Sequence, residues 1–153
     1  MMRCKTLAAS LLSVAVVTLG WTGQAQARNT QYFMPFKDVL SLPQAREELD
    51  PTIRLYFGNQ VHPEVQDRHG GYYTDRTTSS ITKSDEEACR WVALSALIDL
   101  QQRARLVGAN AVTNIASYYD KRDYINDENY ECHAGNVVTG VALKGNMVTL
   151  PPQ

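Results

Sequence analysis

The stretch from Ser84 to Val107 is the feature that most constrains how this chain folds. It reads as one long helix. Ser84 and Glu87 form a capping box, in which each side chain meets the other residue's free amide. Cys89, Ala93, Ala96, Leu100, Ala104 and Val107 recur at steps of three or four and make one apolar stripe. Trp91, Leu94 and Ile98 make a second stripe in the first half, so that half is expected to be covered on two sides. Ser95, Asp99, Gln102 and Arg103 mark the wet side. Gly108 suits the left-handed residue that stops a helix. A helix with this much apolar surface needs a partner layer, and the segments around it must supply that layer.

Those segments read mostly as strands. Arg28 to Met34 is a short extended entry. Phe36 to Leu49 is a broken helix whose firmer part starts at Pro43, because proline lacks the amide that a helix interior needs and is tolerated at its first turn. Asp50-Pro51 stops it. Thr52 to Gly58 alternates Ile53, Leu55 and Phe57 against Arg54 and Tyr56, the period of a half-buried strand. Asn59 to Gly71 reads as a loop, and Tyr72 to Ser80 as an edge strand. After the long helix, Ala111 to Tyr119 reads as a strand and Asp120 to Glu131 as a polar loop. Asn136 to Lys144 is a further strand, with Val137, Thr139, Val141 and Leu143 on one face. Val138, Gly140 and Ala142 lie on the other, and their small size suggests that the helix lies there. Gly145-Asn146 is a turn signal, with a last short strand at Met147 to Leu150. The resulting expectation is a single α+β domain, the long helix packed on a small, mainly antiparallel sheet.

The N-terminus predicts export. Arg3 and Lys5 precede an uncharged apolar run from Leu7 to Trp21, and Ala25-Gln26-Ala27 offers the small residues that signal peptidase accepts. The run is short for a membrane span, which takes about 20 residues. Cys4 precedes the run and position 28 is arginine, so no lipid-anchor cysteine is in place. Residues 1–27 are expected to be a signal peptide and residues 28–153 the domain, released to the periplasm or secreted without a membrane span. Its formal charge would be (15 − 2) − 16 = −3, since Arg3 and Lys5 leave with the signal. That excludes a basic nucleic-acid footprint. Cleavage also removes Cys4. Cys89 and Cys132 remain, and an even count in an oxidising compartment favours a disulfide between them.

The run DEEACRWVALSALIDLQQRARLVGANAVTNI followed by ECHAGNVVTGVALKG resembles a family of small exported bacterial proteins of unknown function. Many of its members carry the inherited label "excinuclease ATPase subunit". More distantly, the order helix, GANAV, strand, loop, strand is similar to the YbjQ-like heavy-metal-binding superfamily. It is also similar to the signalling domain of the Rcs envelope-stress sensor lipoprotein. The resemblance implies a YbjQ-like fold, an envelope role and, as a second possibility, heavy-metal binding.

The ATPase label has no chemical basis in the residues. A phosphate-cradling loop needs G-x-x-x-x-G-K-[ST] between a strand and a helix. Gly140 to Gly145 places Lys144 before the second glycine, Asn146 follows where lysine or a hydroxyl is needed, and the segment reads as strand. Other candidates each meet a plainer alternative. Cys132–His133 are sequence neighbours, and neighbours on a strand point to opposite faces, which argues against a nucleophilic dyad. His62, His69 and His133 are the metal candidates, since imidazole suits zinc and copper, but their spacing matches no ligand motif and solvated histidines are the favoured reading. Asp120, Asp123, Asp127, Glu128 and Glu131 crowd one loop without EF-hand spacing. Tyr72, Tyr73, Tyr118, Tyr119, Tyr124 and Tyr130 either line a peptide or glycan site or pack the sheet.

The functional expectation is therefore a non-enzymatic, exported, disulfide-stapled binding or envelope-stress module. Its partner would be an envelope protein or a small ligand, with no cofactor. A periplasmic heavy-metal-binding protein is the alternative. An enzyme ranks last, because no nucleophile, base and orienter come together in the sequence.

Overall fold

The computed structural model describes residues 27–152. The expected signal peptide falls almost entirely outside them. The described chain is an α+β fold: strand β1 (Thr30–Pro35), short helices α1 (Phe36–Leu40) and α2 (Pro43–Glu48), strands β2 (Arg54–Phe57) and β3 (Asp67–Ser79), the long helix α3 (Asp85–Leu106), and strands β4 (Ala111–Ser117), β5 (Asn129–Ala134) and β6 (Val138–Thr149). A 3-10 turn spans Tyr119–Lys121.

β6 is the spine of a six-stranded mixed sheet. Along one edge it pairs with β3 over almost its whole length. Its other edge is shared. β4 pairs with the stretch from Leu143 to Val148, and β5 with Thr139 and Gly140. β2 extends the sheet beyond β4 as its one parallel neighbour, and β1 extends it beyond β5. Where β4 and β5 fork, two hydrogen bonds hold the gap: the Glu131 amide donates to Ser117 Oγ at 2.8 Å and the Tyr118 amide to Ala142 O at 2.9 Å. Tyr72 to Ser79 pairs on one edge alone, as expected of an edge strand, but the strand starts earlier, at Asp67. Part of the expected Asn59–Gly71 loop is therefore strand, because Gly70 and Gly71 sit at an irregularity that lets pairing run through them.

The helix α3 forms where the sequence places it, with the Ser84 half of the expected capping box but without the return bond from the Glu87 side chain. The Glu87 amide donates to Ser84 Oγ at 3.1 Å, and Gly108 ends the helix at φ +76°. Cys89, Ala93, Ala96, Leu100 and Ala104 are buried, together with Val92, Leu97 and Gln101. They pack on Val112, Ile115, Tyr130, Cys132, Val141, Leu143 and Met147. Phe36, Val39 and Ala45 of α1 and α2 close one side of this core, with Phe36 stacked on Phe57 at 4.0 Å. Pro43 is the first residue of α2, where the break was expected.

Several expectations are corrected. Trp91 is 37% exposed, so the second stripe is covered only at Leu94 and Ile98. Asp99 is not on the wet side: it accepts a hydrogen bond from Thr74 and forms an ion pair with Arg76 of β3, tying helix to sheet edge. The helix lies on the Val141–Leu143 face of β6, not on the Gly140–Ala142 face, because the odd-numbered side chains are the larger ones and fill the core. Cys132 belongs to a strand of its own, β5, which takes in Asn129 to Glu131, the end of the expected polar loop.

Gly145-Asn146 is no turn; β6 runs straight through it. β4 has two residues, Asn114 and Ile115, where β6 has only Gly145, a bulge with Asn114 at φ +53°. A Cβ at position 145 would lie 2.5 Å from Val112 Cγ1. The glycine serves close approach of two strands, which a local sequence pattern cannot distinguish from a turn.

Candidate functional site

The face of the sheet turned away from α3 carries the chemistry. No helix covers it. Instead the segment from Tyr118 to Glu128 crosses it and is pinned at three places. Tyr119 stacks on His133 at 3.5 Å, Tyr124 packs on Phe33 at 4.6 Å, and Asp123 pairs with Lys144 at 2.6 Å. The crossing leaves two openings on either side.

The larger of these two is a cleft of about 380 Å³ lined by Tyr73, Tyr118, Ile125, Lys144, Asn114 and Asn146, with Gly58, Asn59 and Gly71 at its rim; a separate opening of about 470 Å³, bordered by Phe36, Leu40, Phe57 and Gln60, lies at the Glu128 end of the segment. Tyr73 of β3 is 60% exposed. Its ring meets Tyr118 edge to face at 5.8 Å, and Lys144 Nζ sits 4.9 Å from the Tyr118 centroid. The β4 bulge turns Asn114 into this cleft. Asn114 Nδ2 donates to Gly58 O at 3.2 Å and Asn146 Nδ2 donates to Asn114 Oδ1 at 3.2 Å. Local folding thus serves the site: an αL asparagine, tolerated because its short polar side chain bonds nearby backbone, places a carboxamide where a straight strand would not.

The second opening, about 260 Å³, lies beside His133 and is lined also by Arg28, Asn29, Asp75, Thr77 and Tyr119. Here His133 Nε2 lies 2.6 Å from Glu131 Oε1 and Nδ1 lies 3.0 Å from Asn29 Oδ1. Gln31 Nε2 also donates to Glu131 Oε1 at 2.7 Å. Both ring nitrogens are engaged, and the His133 and Glu131 side chains are only 10% and 8% exposed. At the nearby start of α3, Asp85 accepts from Tyr32 and Arg28, and these bonds hold its carboxyl below the usual carboxylate range.

The residues singled out in the sequence fall as follows. Cys89 Sγ and Cys132 Sγ are at bonding distance, 1.99 Å, with their Cα atoms 5.9 Å apart, and both residues are fully buried between α3 and β5. Cys132 and His133 point to opposite faces, as alternation requires. The three histidines are not brought together. His62 Nδ1 lies 2.8 Å from Pro63 O, and His69 Nε2 lies 2.8 Å from Thr149 Oγ1. His133 pairs with Gly140 at the far end of β6, roughly 25 Å from His69 by strand rise. Among the described residues no group of three or more His, Cys, Asp and Glu side chains is placed to hold a metal ion. The acidic residues of the loop are spent on separate partners: Asp123 on Lys144, Asp127 on the Asn59 amide, Glu131 on His133. The tyrosines divide. Tyr73 and Tyr118 line the larger cleft and Tyr119 the smaller, Tyr72 turns its ring to the other face under Arg103 of α3, Tyr124 packs on Phe33, and Tyr130 is core, where burial pushes its phenol up.

Sequence reasoning missed Asn114, Asn146 and Lys144 as cleft residues, and it missed the Glu131–His133 pair. Only the pair had a readable signal: positions 131 and 133 flank Cys132 at the spacing that puts two strand residues on one face.

Fold and site together define an α+β domain whose helix is linked to its sheet through Cys89 and Cys132 and whose sheet face opposite α3 bears an open cleft. No family model, curated protein or solved structure matches the chain.

Proposed function

We propose that this chain is an exported, non-enzymatic binding module of the cell envelope, and that the Tyr73–Tyr118 cleft is its ligand site. The observation that carries this reading is the cleft itself: rigid aromatic rings and carboxamides, exposed on the sheet face opposite α3. Large, partly exposed aromatics beside a few fixed polar groups are the usual make-up of a ligand site. The engaged nitrogens of His133 speak against acid–base catalysis in the neighbouring opening. Export rests on the sequence of residues 1–27, and a buried cysteine pair at bonding distance suits an oxidising compartment.

The test uses protein recovered from the periplasmic fraction of its own host. N-terminal sequencing should begin at Arg28, and an intact Met1 in membranes would overturn export. Native mass spectrometry of the same material, before and after adding zinc or copper, should show a non-metal ligand that a Tyr73→Ser variant no longer retains. Retention of stoichiometric metal in both forms would favour the heavy-metal reading instead.

A further inference from the structure

Resting on the binding-module reading, we propose that the ligand of the larger cleft is a neutral oligosaccharide. Charge is the first reason. Among the described residues, and apart from tyrosines, Lys144 is the one ionisable side chain lining the cleft, and its ammonium is already paired with Asp123 at 2.6 Å. An anionic or cationic ligand would find no free counter-charge there. A charged ligand would have to compete with that pair.

The second reason is the hydrogen-bonding inventory. Each carboxamide offers two N–H donors and an acceptor with two lone pairs. Asn114 spends one donor on Gly58 O and one lone pair on Asn146; Asn146 spends a single donor. Both therefore keep donor and acceptor capacity side by side, in side chains whose orientation is already held. A hydroxyl group both donates and accepts, so vicinal hydroxyls are the complement of such a pair.

The third reason is the aromatic wall. Tyr118 is fixed between Tyr73 and Lys144, and Tyr73 presents its ring with 60% of its surface open. Such rings offer rigid, partly apolar platforms at low entropic cost. The C–H faces of a pyranose ring fit such a platform while its hydroxyls reach the carboxamides. A peptide is served worse. The cleft lies on the face of β3, β6 and β4, where the backbone groups of β6 are already paired on both edges, so strand addition is not available inside it. The apolar side chains left to anchor a peptide are Ile125 and Ala116, and neither makes a deep socket. The volume, about 380 Å³, lies within the roughly 300–1,000 Å³ of small-ligand sites and suits one or two sugar units.

The experiment is a titration of the isotopically labelled full domain with four probes: N-acetylglucosamine tetramer, maltotetraose, a neutral tetrapeptide and inorganic phosphate. Amide shifts are read at Tyr73, Asn114, Tyr118 and Asn146. At least one saccharide should saturate these shifts, and Tyr73→Ser and Asn146→Ala should each weaken it by about tenfold or more while leaving the melting curve unchanged. Tyr73→Phe should retain most of the affinity. Saccharide binding that Tyr73→Ser leaves intact would overturn the proposal, because the ring is its platform. If the peptide or phosphate saturates the cleft and no saccharide does, the ligand class fails while the binding-module reading stands. If no probe moves the cleft and the periplasmic protein carries no ligand, both readings fail.

Discussion

Replacing Gln101 by leucine should remove a large part of the domain's stability, although the change conserves volume and adds apolar surface to a buried position. Gln101 sits on the buried side of α3, where its carboxamide clamps the chain between α2 and β2. Oε1 accepts from the Asp50 amide at 2.8 Å, and Nε2 donates to Asp50 O at 3.0 Å and to Ile53 O at 2.8 Å. Leucine deletes all three bonds. Asp50 O keeps the Ile53 amide as a donor, at 3.2 Å, so the Asp50 amide and Ile53 O are the two groups left without a partner. An orphaned buried group costs about 1–3 kcal/mol, and the Asp50 amide, only half-buried, belongs at the low end. The expected loss is about 2–4 kcal/mol. With a urea dependence of about 2 kcal/mol per molar, the middle of the usual range for small domains, the midpoint should fall by about 1–2 M. Gln102→Leu is the control. Its side chain is exposed on the same helix, and it should stay within about 0.5 kcal/mol of the parent. If both variants unfold at the same urea concentration within error, the clamp is not a stabilising element and the reasoning fails.

Cys89→Ser and Cys132→Ser should each cost about 4 kcal/mol in the oxidised protein, the chain-entropy value for closing a loop across the 43-residue separation. The double variant should cost about the same as either single one, checked by urea unfolding and by thiol counting on denatured, unreduced protein. Gly145→Ala should destabilise by about 1–3 kcal/mol because its Cβ would press on Val112 Cγ1 at 2.5 Å, and Val112→Ala in the same chain should recover part of that loss in thermal melts. Asp50 dictates part of the acid response: hydrogen bonds from the Thr52 hydroxyl and from Arg105 lower its carboxyl to about 2. A depressed folded-state value means stability that is present above about pH 4 and lost as pH falls toward 2, so Asp50→Asn should flatten the acid limb of a stability–pH curve in that window and leave its neutral part sloping as before.

What the sequence determined by itself was whatever is local. The helix from Ser84 to Gly108 was legible because its cap, its 3.6-residue stripe and its left-handed stop all lie within one turn of where they act. The Pro43 break and the β2 alternation were legible for the same reason. The cysteine partners followed from a count of two. Tertiary structure decided everything that depends on which segments meet. Glycine is the same letter in a turn and in a close strand approach, so only the β4 bulge against β6 showed that Gly145 belongs to a continuous strand. The face on which α3 lies followed from how the larger side chains of β6 fill the core, not from the small ones that would admit a helix. β5 was hidden because its polar start, Asn129–Glu131, pairs with β1 about a hundred residues away in the chain. The cleft was least legible of all: Tyr73, Asn114, Tyr118, Lys144 and Asn146 come from three strands and a loop, and long-range pairing alone brings them to one face.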